Sequence, residues 1–150
     1  RRRKGSNGTK RLKIFYRAYI HSEVERETAH IKKPGAIQRS ELNSAAKDLA
    51  KMLIIENAVD MGEAQAIALA ASKGIRVFLT DDLAARDAAK QQNLEPHGTL
   101  GILLRAFGEG IITKSAAISS VELLHTCSTL FLTKDLVEWI RAEIEKSSKE

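Results

Sequence analysis

Beyond the first ten residues, apolar positions fall into short extended runs separated by stretches with helical spacing. Ile14 to Ile20 (IFYRAYI) is aromatic-rich and β-prone, and it ends at His21-Ser22. Ser22 predicts an N-cap, with Glu23 and Glu25 in the first turn, where the helix dipole favours anions. This helix runs through Glu27 to about Ile31 and is stopped by Pro34-Gly35. A second helical pattern, about Arg39 to Met52, sets Leu42, Ala45, Ala46, Leu49 and Leu53 at three- and four-residue spacings. The apolar run Leu53-Ile54-Ile55 either ends that helix or forms an edge strand.

The middle of the chain carries the sharpest signals. Gly62-Glu63 opens an alanine-rich helix (EAQAIALAASK) that Gly74 closes at a standard C′ position. Alanines 64, 66, 68, 70 and 71 predict close helix–sheet packing. Ile75 to Thr80 reads as a strand ending at Asp81-Asp82, followed by a helix from Leu83 to Gln92 and a short extended Leu94 to His97. Gly98-Thr99 starts a further helix, Leu100 to Phe107, closed by Gly108 and Gly110. Two helices, Ser115 to Cys127 and Lys134 to Lys146, complete the pattern. Strands alternating with helices at this spacing predict an α/β fold, three-layer α/β/α, with a parallel central sheet.

Composition narrows the class. A chain of 150 residues with 43% hydrophobic content suits one domain, here placed at 11–150 behind a flexible basic tail at 1–10. No stretch of 18 apolar residues is present, which excludes a helical membrane span. The net charge of +5 first suggests a nucleic-acid binder. Its distribution changes that reading. Residues 1–13 hold seven of the 24 basic residues and no acid, leaving 17 basic against 19 acidic side chains in the rest. The lone Cys127 excludes an internal disulfide and a multi-thiolate metal site, and its helical context predicts a small buried hydrophobe. No signal-type apolar segment follows the basic start, so the expected compartment is the cytoplasm. His21, His30, His97 and His125 show no metal-ligand spacing, and Trp139 and Phe131 are expected to pack the last helix onto the core.

The candidate chemistry lies in carboxylates. A helix of about 12 residues advances about 18 Å, and a strand of about six residues returns about 20 Å. Asp81 therefore comes back to the level of Glu63, 18 positions earlier, at the carboxyl edge of the sheet where α/β ligands bind. Glu27 can project towards the same rim from a neighbouring unit. Clustered carboxylates repel unless something positive sits among them, and oxygen-only ligands suit Mg²⁺ or Mn²⁺. Such a site supports metal-assisted phosphodiester hydrolysis. The plainer alternatives are that Glu63 only complements the helix dipole, and that Asp82 is an N-cap paired with Arg86.

The run Gly62 to Ile112 resembles the C-terminal half of a PIN domain, in the prokaryotic branch related to VapC-type toxins. The elements carrying the likeness are Gly62-Glu63, Ala66-Ile67, Asp81-Asp82, Ala85-Arg86 and Gly98-Thr99-Leu100-Gly101, with Val24-Glu25-Arg26-Glu27 upstream. The likeness covers about residues 11–146. It implies a Mg²⁺- or Mn²⁺-dependent ribonuclease, with Glu27, Glu63 and Asp81 as metal-site acids and Asp82 their neighbour. Thr99 matches a threonine near the rim that holds a water or phosphate, with a plain N-cap as the alternative. The family opens with a strand ending in a metal-binding aspartate. Here no aspartate precedes Asp48, and RRRKGSNGTKRLK stands in that place. The first strand and its acid are thus expected to be absent and activity impaired.

Two main function classes follow. One is a PIN-type ribonuclease, the toxin of a toxin–antitoxin pair. The other is a non-catalytic module in which Arg1, Arg2, Arg3, Lys4, Lys10 and Arg11 grip RNA phosphates, while the body forms a homodimer or binds an antitoxin protein. A weaker third is a signalling domain in which Asp81 accepts phosphate.

Overall fold

A computed structural model of the chain describes residues 18–27, 29, 37–128, 130 and 132–147, without the side chains of Glu23 and Glu27. The basic tail, Ile14 to Arg17 of the predicted first strand, His30, Ile31, Pro34-Gly35 and Phe131 lie outside the described residues. The described part is an α/β fold in two compact units, one within residues 16–102 and one within 103–150.

The first unit runs β1 (Ala18–Ile20), α1 (Ser22–Glu27), β2 (Ile37–Arg39), α2 (Ser44–Asn57), α3 (Met61–Ser72), β3 (Val77–Leu79), α4 (Leu83–Gln91) and β4 (Glu95–His97). Helix α5 (Thr99–Gly108) begins in it. Among the described residues the strands form two separate parallel pairs, β1 with β2 and β3 with β4, in place of the single sheet expected. Ala18 faces Ile37 in the first pair, and Val77 faces Glu95 in the second. Parallel neighbours require a crossover, and α4 supplies it for β3–β4. The second pair is extended at both ends: Glu95 N–H donates to Arg76 C=O at 2.6 Å and Thr80 N–H to His97 C=O at 3.0 Å. Glu95 and His97 thus turn their backbone groups towards β3, and Pro96 between them faces the outer side. Proline has no N–H to offer there, which is the position in a sheet that tolerates it.

Helix α3 is the centre of this unit. Ala64, Ile67 and Ala68 have no exposed surface, and Leu69 and Ala70 are also buried. A helix apolar on all sides is a buried helix. The small side chains at 64, 68 and 70 let α2, α4 and β3 approach, with Leu53, Phe78 and Ala88 in the same core. Its start is set by a capping box: Asp60 accepts from Glu63 N–H at 2.8 Å, and the Glu63 carboxylate accepts from Asp60 N–H at 3.4 Å. Its end is Gly74, in the left-handed region at φ +64°. Lys73 Nζ sits 5.0 Å from the centre of the Tyr19 ring, tying β1 to the end of α3.

Several expected boundaries move. Helix α2 starts at Ser44, not Arg39, because Asn43 caps it by accepting from Ala46 N–H at 2.8 Å. Leu53-Ile54-Ile55 belongs to α2. Ile37–Arg39 is a strand held by β1. Ser22 is the first residue of α1, since Glu25 N–H donates to His21 C=O at 2.9 Å.

The second unit contains α6 (Lys114–Cys127) and α7 (Lys134–Lys146), packed on each other and capped by Thr113 and Thr133. Val137, Ile140 and Ile144 form the buried stripe of α7. Trp139 lies beside that stripe and is 58% exposed, contrary to its expected core role. Cys127 is likewise exposed, because the buried positions of α6, Ala117 and Val121, leave it off their face. Among the described residues no helix is long and apolar enough to cross a membrane.

Packing at α3 predicts that Ile67→Ala lowers stability by about 2–5 kcal/mol, while Met52→Ala on the exposed side of α2 changes it by less than about 0.5 kcal/mol; chemical denaturation measures both. A further prediction concerns acid. The Arg39 guanidinium hydrogen-bonds Glu41 and lowers its carboxyl below the usual range, against an opposing desolvation; the Arg39 charge, Ser22 and His21 add to the lowering. A depressed carboxyl stabilises the fold above its unfolded pKa and loses that contribution as pH falls through its folded value. Stability of the parent should thus fall more steeply in the acid range than that of E41Q, as thermal melts across pH would read.

Candidate active site

Strand β3 ends at Leu79, and the next three residues each take a different task. Thr80 stays in the ladder through its N–H. Its hydroxyl accepts from Asp82 N–H at 3.1 Å, a local turn that aims Asp82 at the start of α4. There Asp82 accepts from Ala85 N–H at 2.8 Å and serves as N-cap. The suggested Asp82–Arg86 ion pair is not formed, because the carboxylate is turned back onto the helix start. Asp81, between them, reaches across to the next element. Its Oδ1 accepts from Thr99 N–H at 2.8 Å, and its Oδ2 accepts from the Thr99 hydroxyl at 2.5 Å.

This arrangement answers a need of α5. Ile102 N–H donates to Gly98 C=O at 3.1 Å, which makes Gly98 the residue at the cap position. Glycine has no side chain with which to cap, and Asp81 supplies the missing acceptor from a different strand. Only glycine fits beneath that bridge. A Cβ at Gly98 would lie 2.6 Å from Asp81 Oδ1, 3.0 Å from Arg86 Nη1 and 3.6 Å from Thr80 C=O. The carboxylate and the guanidinium thus converge over one bare Cα.

Helices α4 and α5 both start at this carboxyl edge, and their dipoles place positive potential there. Asp81 and Asp82 each take one of the two helix starts. Each Asp81 oxygen accepts one hydrogen bond, and a carboxylate offers about four lone-pair positions. Two therefore remain for a cation or a water. Such hard oxygen donors are of the kind a small divalent ion takes.

Glu63 is half-buried in the first turn of α3 and engaged in the capping box. Helix α3 and the return through β3 bring the chain back to the same end of this α–β unit, as the element lengths require. Glu27 is the last residue of α1, and its side chain lies outside the described residues. Among the described residues no group of three or more His, Cys, Asp and Glu side chains gathers to hold a metal ion. The six basic residues proposed for RNA contact also lie outside the described residues.

The sequence pointed to Asp81 and Thr99, and the structure joins them. Three further residues emerge. Asp60-x-x-Glu63 is a capping-box pattern, legible in the chain. Gly98 and Arg86 owe their place to a crossing of two elements, for which only Gly98's position between strand and helix gave a signal.

Parallel strand pairs, helices starting at their carboxyl ends and an acid fixed at that edge define an α/β protein with a candidate acidic site. A PIN-domain family model matches residues 11–146, and the chain belongs to the PIN-domain family. Neither the curated proteins nor the solved structures provide a match.

The bridge predicts a specific non-additivity. G98A should destabilise the chain by about 1–3 kcal/mol, because its methyl must push Asp81 from Thr99. In D81A/G98A that clash is gone, so the double variant should lose less than the two single losses together, by about 0.5–3 kcal/mol. Denaturation of the four proteins measures it; strict additivity would contradict the steric account.

Proposed function

We propose that the chain is a Mg²⁺- or Mn²⁺-dependent endoribonuclease of the PIN type, in the VapC-type toxin-related branch. The observation that carries this reading is Asp81: an exposed carboxylate at the carboxyl edge, fixed by two hydrogen bonds from Thr99 and still holding lone pairs. Asp81 and Glu63 would hold the ion, with Glu27 as the acid from α1. The bound ion would supply an activated water and offset charge on the phosphodiester. Thr99 keeps the Asp81 carboxylate in one orientation, so that its free lone pairs face one direction. Asp82 contributes negative potential while capping α4. In this reading the substrate is RNA, the partner an antitoxin protein, the assembly a homodimer and the compartment the cytoplasm.

The resemblance also implies an aspartate on an additional strand, and this sequence has none before Asp48. Among the described residues β3 pairs on one side only. The other side is where such a strand would lie.

A second reading is favoured by the seven basic residues within positions 1–13. In it the chain binds nucleic acid without cleaving it, and affinity falls steeply with salt. Removing residues 1–11 and repeating the salt titration separates the two, since cleavage depends on the acids and this binding on the tail.

The nuclease reading predicts Mn²⁺-dependent cleavage of single-stranded RNA that EDTA abolishes. D81N and E63Q should each lower the rate by about 100-fold, with melting temperatures near the parent's for D81N. Equal rates in the parent and both variants would remove the acids from the reaction.

A further inference from the structure

Arg86 is a half-buried guanidinium on α4 that forms no hydrogen bond or ion pair among the described residues. This is unusual on three counts. Arginine cannot shed its charge, so burial has to be offset by an acceptor. The fourth residue of α4 lies near the helix N-terminus, where the dipole disfavours a cation, so helix stability does not explain it. Among the described residues no carboxylate pairs with it: Asp81 is held by Thr99 without an ion pair to Arg86, and Asp82 is turned onto Ala85 N–H.

The guanidinium is nevertheless directed. Its Nη1 comes to 3.0 Å from the point a Gly98 Cβ would occupy, and Asp81 Oδ1 to 2.6 Å from that same point. A carboxylate able to take a cation and a guanidinium without an acceptor thus meet over one glycine at the carboxyl edge. Exposed arginines in the first unit, by contrast, have partners: Arg39 pairs with Glu41 at 2.8 Å and Arg76 with Glu95 at 2.5 Å. Arg86 has kept its N–H donors for something else.

We propose that Arg86 is a phosphate-binding residue: its guanidinium, beside Asp81 over the bare Gly98 Cα, receives a phosphodiester oxygen of single-stranded RNA. The proposal rests on the nuclease reading of the Asp81 site and gives it a substrate contact. A planar guanidinium offers paired donors to a phosphate, which a point charge cannot match. With Asp81 for the cation and Arg86 for the anion, the edge binds the two charged components of the substrate complex separately.

The test uses the full chain and a short single-stranded RNA in EDTA buffer across a range of salt, so that binding is read without cleavage. R86Q should bind about tenfold more weakly and lower the salt slope by about one. R86K should recover the slope but only part of the affinity. Inorganic phosphate should compete with RNA for the parent and not for R86Q. Unchanged affinity and slope in R86Q would overturn the proposal, as would RNA binding that is absent from the parent. If R86Q and R86K melt early yet bind RNA normally per folded molecule, Arg86 is structural and the proposal fails. Cleavage in Mn²⁺ scores the nuclease reading apart. Binding that depends on Arg86 without cleavage leaves Arg86 assigned and removes the nuclease. Cleavage with the parent's KM in R86Q does the reverse.

Discussion

The pair of hydrogen bonds from Thr99 to Asp81 connects the end of one parallel strand to the helix that follows its neighbour, and the architecture of the site depends on it. It caps a helix whose own cap residue has no side chain. It aligns an exposed carboxylate that would otherwise rotate freely. It also requires glycine at position 98, because the carboxylate passes where a Cβ would stand. One contact therefore serves stability and chemistry together. A charge-assisted bond of this kind is worth about 1.5–3 kcal/mol where water is excluded, and less at an exposed edge. Stability and function are coupled here through a single side chain.

How much of this the sequence reveals depends on how local the cause is. Helix α7 occupies Lys134–Lys146 as its periodicity indicates, and α4 and α6 lie within one residue of expectation at each end. In these helices a threonine or aspartate cap coincides with the start of the apolar period. In α2 the two signals disagree: Leu42 fits the period and is buried, yet the cap at Asn43 starts the helix after it. Ile37–Arg39 has one apolar residue in three and becomes a strand only through pairing with β1. Trp139 shows the limit of residue type as a guide, since a large aromatic is still exposed when it falls beside the buried stripe.

The candidate site follows the same division. Asp81 and Thr99 are legible because a strand end and a helix start mark them. Their union is a crossing between β3 and α5, and no spacing rule reports it. The separate fates of Asp81 and Asp82 arise from one hydroxyl, Thr80, which bonds the Asp82 N–H and divides an apparently equivalent pair. Glu63 combines a candidate ligand role with a capping role, in which it accepts from Asp60 N–H.

Pro96 has a consequence beyond the local ladder. In a strand of three residues it is the one whose backbone faces away from β3, and it has no proton to donate. An incoming strand would find no donor at the centre of that margin. The β3–β4 ribbon is therefore chain-terminated on one side, in the sense used for polymers, and can be lengthened strand by strand only from the opposite flank.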